Sequence, residues 1–443
     1  MHFDANNDNI MKSIDKVTVG GFCNIESTTI DLQNQTSLLA TNNYGKSNVL
    51  EAIDFGCFFI REASVNKLAL MQYAPAISIN KQMAGRPFSF EIEGHIDNAT
   101  LYKYSYSFIW MTDNESGIKG GQIIKESLKI KKTTGAHPGF SNYIIRDGVN
   151  EAKYLSSEKG RCSTKIAING DSLVLNKLSN FDNLFCVNII RELNNLVILN
   201  IDTLDNPSKH FDYSLRNLNG KPTIHIGDGL PQYLFSLKKN SIDKYEYLKS
   251  AIMSLVPTLE EFDPVPVKIG DPVEEQQNVP YKIPTEYDVL VKDKYNNQTT
   301  RFAYLSTGCM KLVHILSAIV LAKEKGAQLL LIEELENSVH PKLLRSLLSI
   351  IEDMCEGVKI LFTSHSPQLA QYLSPKQLYV GLPNCNGVVD FRTVKANKVD
   401  KMLTVANEMN MSLGEYLFML MEDVEDDADL INMYFNKKDN CNE

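Results

Sequence analysis

Four short strings carry residue types that could bind and cleave a phosphate anhydride. The first is ATNNYGKSN, residues 40–48, where Gly45, Lys46 and Ser47 end the pattern G-x-x-x-x-G-K-[ST] and Ala40 replaces its first glycine. Such a loop works when a strand stops, backbone N–H groups turn inward, and a helix begins that points at the phosphates. In that geometry Gly45 permits the close approach, Lys46 neutralises the β- and γ-phosphates of ATP, and the Ser47 hydroxyl is a ligand of Mg2+. Asn42, Asn43, Tyr44 and Asn48 complete the cradle. The second string is LLLIEE, residues 329–334, which delivers Glu333 and Glu334 to the end of a buried strand, where ligands sit in parallel sheets. Glu333 takes the metal-linked position and Glu334 polarises the attacking water. The third, TSHS at 363–366, sets His365 at the end of another apolar strand, where it can hydrogen-bond a γ-phosphate or the water. The fourth, LSTGCMKL at 305–312, places Ser306 and Gly308 at the head of a long apolar helix whose first N–H groups suit an anion.

Each string also has a plainer reading when taken alone: a helix-start turn, a solvated acidic turn, a satisfied histidine, an N-cap at Ser306 or Thr307. Their shared order favours one site, because each falls at the strand or helix edge that its chemistry needs. The elements around them support that placement. KVTVGGF and TTIDL alternate like paired strands, TSLLA reads as a short buried strand, and KSNVLEAIDFGCFFI repeats its apolar positions like a helix. From about residue 86 to 175 alternating runs such as PFSFEIEGHI, LYKYSYSFIW and IIKESLKIKK predict antiparallel strands. Residues 176–285 mix helical and irregular segments, and the prolines of VPTLEEFDPVPV and DPVEEQQNVPYKIP read as linker or surface loop. After that TRFAYL reads as a strand, and GCMKLVHILSAIVLAKEKG as a helix closed by Gly326. QLLLIEE is a buried strand, PKLLRSLLSIIEDMCEG a helix opened by Pro341 and stopped at Gly357, and KILFTSHS another buried strand. Strand–helix alternation with continuously apolar strands implies an α/β fold whose parallel sheet is covered on both faces.

The set of motifs resembles the ABC-type ATPases of the RecF, SMC and OLD branch, and more narrowly their short AAA-type relatives in bacterial phage-defence systems. In that resemblance ATNNYGKS is the Walker A loop, LSTGC the signature motif, LLLIEE the Walker B strand, ENSVHP the D-loop region and TSHSP the switch histidine. It covers roughly residues 1–130 and 286–405. Glu333 stands where aspartate is commoner, and Thr307 and Cys309 make the signature degenerate. No Q-loop string is evident; Gln82 lies where that glutamine is sought. The resemblance implies an ABC-type ATPase head with a P-loop core, an N-terminal antiparallel β lobe, an inserted helical lobe and no long coiled coil. The expected division is a split ATPase core at 1–60 and 286–405, a β lobe at 61–175, an inserted mostly helical lobe at 176–285 and an acidic tail at 406–443. It also implies ATP and Mg2+ as cofactors, slow hydrolysis, and a head-to-tail dimer or higher even oligomer in which Ser306 and Gly308 meet the nucleotide of the other chain.

Composition bounds the partners. With 45 Lys and Arg against 54 Asp and Glu, the net charge of −9 disfavours a chain that coats nucleic acid. Lys125, Lys129, Lys131 and Lys132 form the notable basic cluster, and three lysines on a strand face are more often a guard against edge pairing than a DNA track. DNA is therefore not the favoured partner. Eight scattered cysteines without a CxxC pair argue against zinc and disulfides, and the absence of a long apolar run argues against a membrane span, so the expectation is cytoplasmic. OLD-type relatives append a nuclease, and the stretch after Ser366 is too short for one. Asp427 and Asp429 in the tail read as a solvated acidic run, not a metal pair. The favoured function is an ATP-driven sensor or scaffold of an antiviral module that controls a separately encoded nuclease or toxin. The alternatives are a RecF-like ATPase acting directly on DNA and an ATP-bound scaffold with negligible hydrolysis.

Overall fold

The computed structural model describes residues 12–72, 77–114, 117–133, 139–201, 229–267, 286–422, 424 and 428–436. One 14-stranded sheet runs through the chain. Its first part is antiparallel, in the order Thr164–Ala167, Glu151–Tyr154, Ser141–Asp147, Gln122–Lys132, Thr100–Ile109, Phe88–Asp97, Ser13–Phe22 and Ile25–Asp31. The alternating burial of Phe88–Asp97 and Thr100–Ile109 follows from their period-two pattern, with one face on a core and the other in water. Its second part holds the hairpin Leu378–Pro383 and Val389–Thr393, then Gln35–Leu39, Lys359–Ser364, Leu329–Ile332 and Ile198–Ile201, parallel to one another from Leu378–Pro383 onward. The two parts join where Ile25–Asp31 meets Val389–Thr393, through the single register pair Val389↔Ile25.

The parallel strands are buried along their length because both faces are covered. Leu329, Leu331 and Leu361 belong to one core cluster, and Leu330, Ile332, Ile360 and Phe362 to the other. Neighbouring residues point to opposite faces, so a continuous apolar run is what such a strand requires. The helix Lys46–Arg61 packs on the first face and reaches the antiparallel part, where Gly56 lets it approach so closely that a Cβ would lie 2.2 Å from the Phe90 ring. Phe55 and Phe59 there join Phe88, Phe108 and Trp110 in an aromatic cluster. The helices Thr307–Glu324 and Pro341–Met354 cover the second face. The longest described helix, Thr307–Glu324, has 18 residues, and no described helix is long and apolar enough to cross a membrane.

Several expectations are corrected. VPTLEEFDPVPV is not a loop: Leu259–Val267 is a strand paired with Glu286–Asp293. It is the edge of its small sheet, so Pro264 and Pro266, two residues apart, turn their missing N–H groups to the same unpaired side. The second proline string lies outside the described residues. In TRFAYL only Thr300–Arg301 is strand; Phe302–Tyr304 is a 3-10 turn that sends Phe302 inward against His314, ring centroids 6.1 Å apart. The stretch 176–285 is not merely helical, since Ile198–Ile201 is a strand of the parallel sheet, too short for its period to show. The acidic tail, read as partly amphipathic, does bury one face. In Leu413–Glu422 the residues Leu417, Leu420 and Met421 are buried, and Gly414 sits against the backbone of Pro367. Asp429 is exposed on the next helix, and Asp427 lies outside the described residues. The lysine-bearing strand Gln122–Lys132 is interior, paired on both sides, so its lysines guard no edge.

Candidate nucleotide site

The strand Gln35–Leu39 stops at Ala40, and the loop then turns through two residues with positive φ, Asn43 at 64° and Gly45 at 75°. Gly45 is required twice, by that φ and by crowding, since a Cβ would lie 2.7 Å from Asn24 Oδ1. Asn24 is a brace: it accepts from Asn48 Nδ2 at 2.8 Å and donates to Gly387 O at 3.2 Å. The helix begins at Lys46, whose side chain folds back under the loop. Its Nζ donates to Ala40 O at 2.9 Å and Thr41 O at 3.0 Å and lies 3.0 Å from His365 Nδ1.

Glu334 and His365 come to the same place from neighbouring strands. Glu334 has φ 46°, an uncommon conformation for a non-glycine residue. Two contacts hold it: its N–H donates to Thr363 Oγ1 at 2.8 Å, and Lys311 Nζ donates to its carbonyl at 2.6 Å. Lys311 is almost fully buried in the helix that Ser306 heads, so that helix fixes the acidic turn from beneath. The Glu334 carboxylate lies 3.4 Å from His365 Nε2 and accepts from Asn337 Nδ2 at 3.3 Å. Glu336 accepts the His365 backbone N–H at 2.5 Å, while its other oxygen is buried without a hydrogen-bond partner. Positive-φ backbone at Asn43 and Glu334 meets in one place, as uncommon backbone does at functional sites.

The result is a cavity of about 350 Å³ lined by residues Asn42 through Asn48 with Glu334, Thr363 and His365. Of the residues singled out from the sequence, Asn42, Asn43, Tyr44, Gly45, Lys46, Ser47, Asn48, Glu334 and His365 therefore share one cavity. Glu333 is not among the lining residues, although its charge is felt at Lys46. Ser306 and Gly308 are elsewhere. Ser306 is exposed and caps its own helix through Cys309 N–H at 3.3 Å, and a Cβ on Gly308 would lie 2.4 Å from Ser338 O. Gln82 is exposed and outside the cavity. Sequence reasoning gave no role to Asn24, Lys311, Thr363 or Glu336; a lysine in an otherwise apolar helix was the one available signal.

Burial drives the electrostatics. It pushes Lys46 down to about 8, against the raising pull of Glu334, Glu336 and Glu333. Burial and then the Lys46 charge hold His365 below its ordinary value, so the ring is neutral near pH 7. Lys46 Nζ stands beside Nδ1 at 3.0 Å, and Nε2 faces the Glu334 carboxylate at 3.4 Å. A polyphosphate beside Lys46 raises its affinity for the proton again. ATP binding near pH 8 should therefore take up a proton, and affinity should fall as pH rises past that value. Calorimetry in buffers of different ionisation heat measures the uptake, which should vanish a unit or more below; a buffer-independent heat near pH 8 would separate Lys46 from the phosphates.

The chemistry of the donors suits a magnesium nucleotide. Magnesium is usually held by one or two carboxylates, hydroxyls and the substrate's own phosphates, and the wall offers the exposed hydroxyl of Ser47 beside a carboxylate. Among the described residues no group of three or more His, Cys, Asp or Glu could hold a metal ion. Parallel sheet, phosphate loop, the Glu334 carboxylate and the His365 ring thus make one candidate nucleotide site on an α/β fold whose parts are split along the chain.

Residues 182–370 match the family described as "AAA domain, putative AbiEii toxin, Type IV TA system". The match includes Ser306, Glu334 and His365, and the phosphate loop lies before it. No curated protein matches the chain. Similar solved structures include an SMC head bound to the C-terminal winged-helix domain of ScpA, with 10% identity and TM-score 0.44 over 87% of this chain and 99% of that one. An SMC head domain from Thermotoga maritima has 10% identity and TM-score 0.37 over 86% and 99%. A third is an Smc head with an extended coiled coil bound to the C-terminal domain of ScpA derived from Pyrococcus furiosus. It has 10% identity and TM-score 0.42 over 90% and 100%.

Proposed function

We propose that the chain binds and slowly hydrolyses ATP as the switch of an antiviral defence module, controlling a separately encoded nuclease or toxin. The observation that supports this most is the convergence of Lys46, His365 and Glu334 on one cavity while Ser306 and Gly308 stay outside it. In this reading Lys46 and the loop N–H groups hold the phosphates; Ser47 would hold the magnesium with Glu333, which lies outside the lining residues but within electrostatic reach of Lys46, and the ion would supply positive charge to the phosphates. Glu334 takes the proton from the attacking water. His365, oriented by Glu336 and Lys46, donates from Nε2 toward the reacting oxygen atoms. The signature helix, with its exposed head at Ser306, completes the nucleotide site of a second copy, so two chains sandwich two nucleotides head to tail. Hydrolysis then opens the pair and releases or arms the effector. Among the described residues the tail helices and the small sheet around Leu259–Val267 offer surface for that partner.

Mixing two inactive variants tests the shared site. Lys46→Met removes the loop charge and Ser306→Arg blocks the helix head. A mixed dimer holds one site with both parts intact, so the mixture should regain turnover that neither variant shows; no recovery at any mixing ratio would sink the sandwich. Purification from a strain that also carries the neighbouring genes, followed by mass measurement of the complex, tests the effector.

A further inference from the structure

A second cavity, of about 610 Å³, opens at the far end of the helix that starts at the phosphate loop. Arg61, the last residue of that helix, lines it together with Ser64, the turn before the helix Val174–Leu178, and the end of the helix Val187–Asn194. It shares no lining residue with the nucleotide cavity.

Its polar groups are arranged unlike those of an ordinary surface cleft. Arg61 Nε is shielded from solvent and has no hydrogen-bond partner, a costly state for a charged donor. The guanidinium is not needed to close the helix. Asn176 Nδ2 donates to Ile60 O at 2.8 Å, the Glu62 N–H to Phe58 O at 3.1 Å, and Lys67 Nζ to Glu62 O. Lys67 is fully buried beneath the cavity floor, where it also donates to Asn176 Oδ1 at 2.9 Å. Lys177 stands on the wall. The one acidic wall residue, Glu62, is engaged by Ala63 N–H and Asn66 Nδ2, at 2.9 and 2.7 Å. Three cations thus face or underlie a space whose wall carries one carboxylate, Glu62, with both of those hydrogen bonds on its Oε1. Around it stand the amides of Asn169, Asn180, Asn194 and Asn195; Asn180 Nδ2 donates to Asn176 O at 3.4 Å and Asn194 Oδ1 accepts from Asn176 Nδ2 at 3.1 Å, so Asn169 and Asn195 are the two that offer a donor and an acceptor together, the pattern that reads the edge of a purine base. The volume falls in the range of small-molecule sites.

We propose that this cavity binds a nucleoside monophosphate, its phosphate on Arg61 and Lys177 and its base against the asparagine amides, and that occupancy regulates the ATP site. Two elements carry the coupling. The helix Lys46–Arg61 has 16 residues and spans about 24 Å between the two cavities. From Asn195 the chain runs almost at once into the strand Ile198–Ile201, whose last residue pairs with Ile332, the residue before the two carboxylates. A ligand that shifts Arg61 relative to Asn195 therefore shifts the loop relative to Glu334. The binding half stands on its own; the coupling half rests on the ATPase reading above.

Titrating AMP and, separately, GMP into the Lys46→Met chain by calorimetry tests binding without the phosphate loop. One of them should bind saturably with one site per chain, and Arg61→Gln should weaken it about tenfold or more. Should Arg61→Gln melt early, Asn195→Leu on the exposed rim decides, with the same expected loss and an unchanged melting point. Failure of both nucleotides to saturate at millimolar concentration, or parent-like binding by both variants, overturns the site. In the unaltered chain the bound nucleotide should change ATP turnover and Arg61→Gln should abolish that change; an unaltered rate overturns the coupling alone. A chain with no ATP turnover at all would count against the ATPase reading, and ATP affinity with and without the monophosphate would then decide the coupling.

Discussion

Glu334→Gln should lower ATP turnover by about two to four orders of magnitude while ATP remains bound. Glutamine keeps the length and shape of the side chain and can still meet Asn337 and His365. The backbone contacts with Thr363 and Lys311 that hold the left-handed turn are untouched by the substitution. What disappears is the negative charge and the capacity to accept a proton from water. Folding should be unaffected, so the melting temperature should match the parent, and ATP should accumulate on the protein in place of ADP. Single-turnover measurement of bound ATP against ADP separates this outcome from weaker binding. Turnover that survives would move the base to Glu333 or Glu336, the other two carboxylates whose charge reaches Lys46.

Lys46→Met should have the converse effect, reducing ATP affinity by about a hundredfold and leaving the variant without turnover of its own. Two charge-assisted contacts to phosphate, at the lower end of the usual range, account for a loss of that size. Two opposing changes act on stability. The Ala40 and Thr41 carbonyls lose their donor, while the desolvation that holds this lysine near 8 is relieved. The melting temperature should therefore move only a few degrees, whereas nucleotide-dependent stabilisation should vanish. Thermal melts with and without magnesium ATP read both effects at once, and a parent-like shift with nucleotide would place the phosphates elsewhere.

Much of this site could be read from the sequence because its chemistry sits on short strings at element edges. A loop ending in Gly45, Lys46 and Ser47, or a run of four apolar residues delivering Glu333 and Glu334, announces both its geometry and its position. The supporting contacts could not be read in this way. Lys311 reaches the Glu334 carbonyl across 23 positions, and the backbone N–H of His365 finds Glu336 across 29, and no local pattern encodes such pairs. Elements failed where length or composition misled. Pro264 and Pro266 hid an edge strand, and four residues at Ile198–Ile201 were too few to show a period.

The joint in the large sheet has a mechanical consequence. A hydrogen-bonded ladder resists shear and twist in proportion to its rungs, and every other crossing in this sheet has three register pairs or more, against one at Val389↔Ile25. Any torque between the antiparallel slab and the parallel slab is therefore taken up along that crease. Asn24 lies on it: its carbonyl accepts the Val389 N–H at 3.1 Å, and its side chain is the wall against which Gly45 rests. The phosphate loop, which grows out of the parallel slab at Ala40, is thus braced by a residue that stands on the crease.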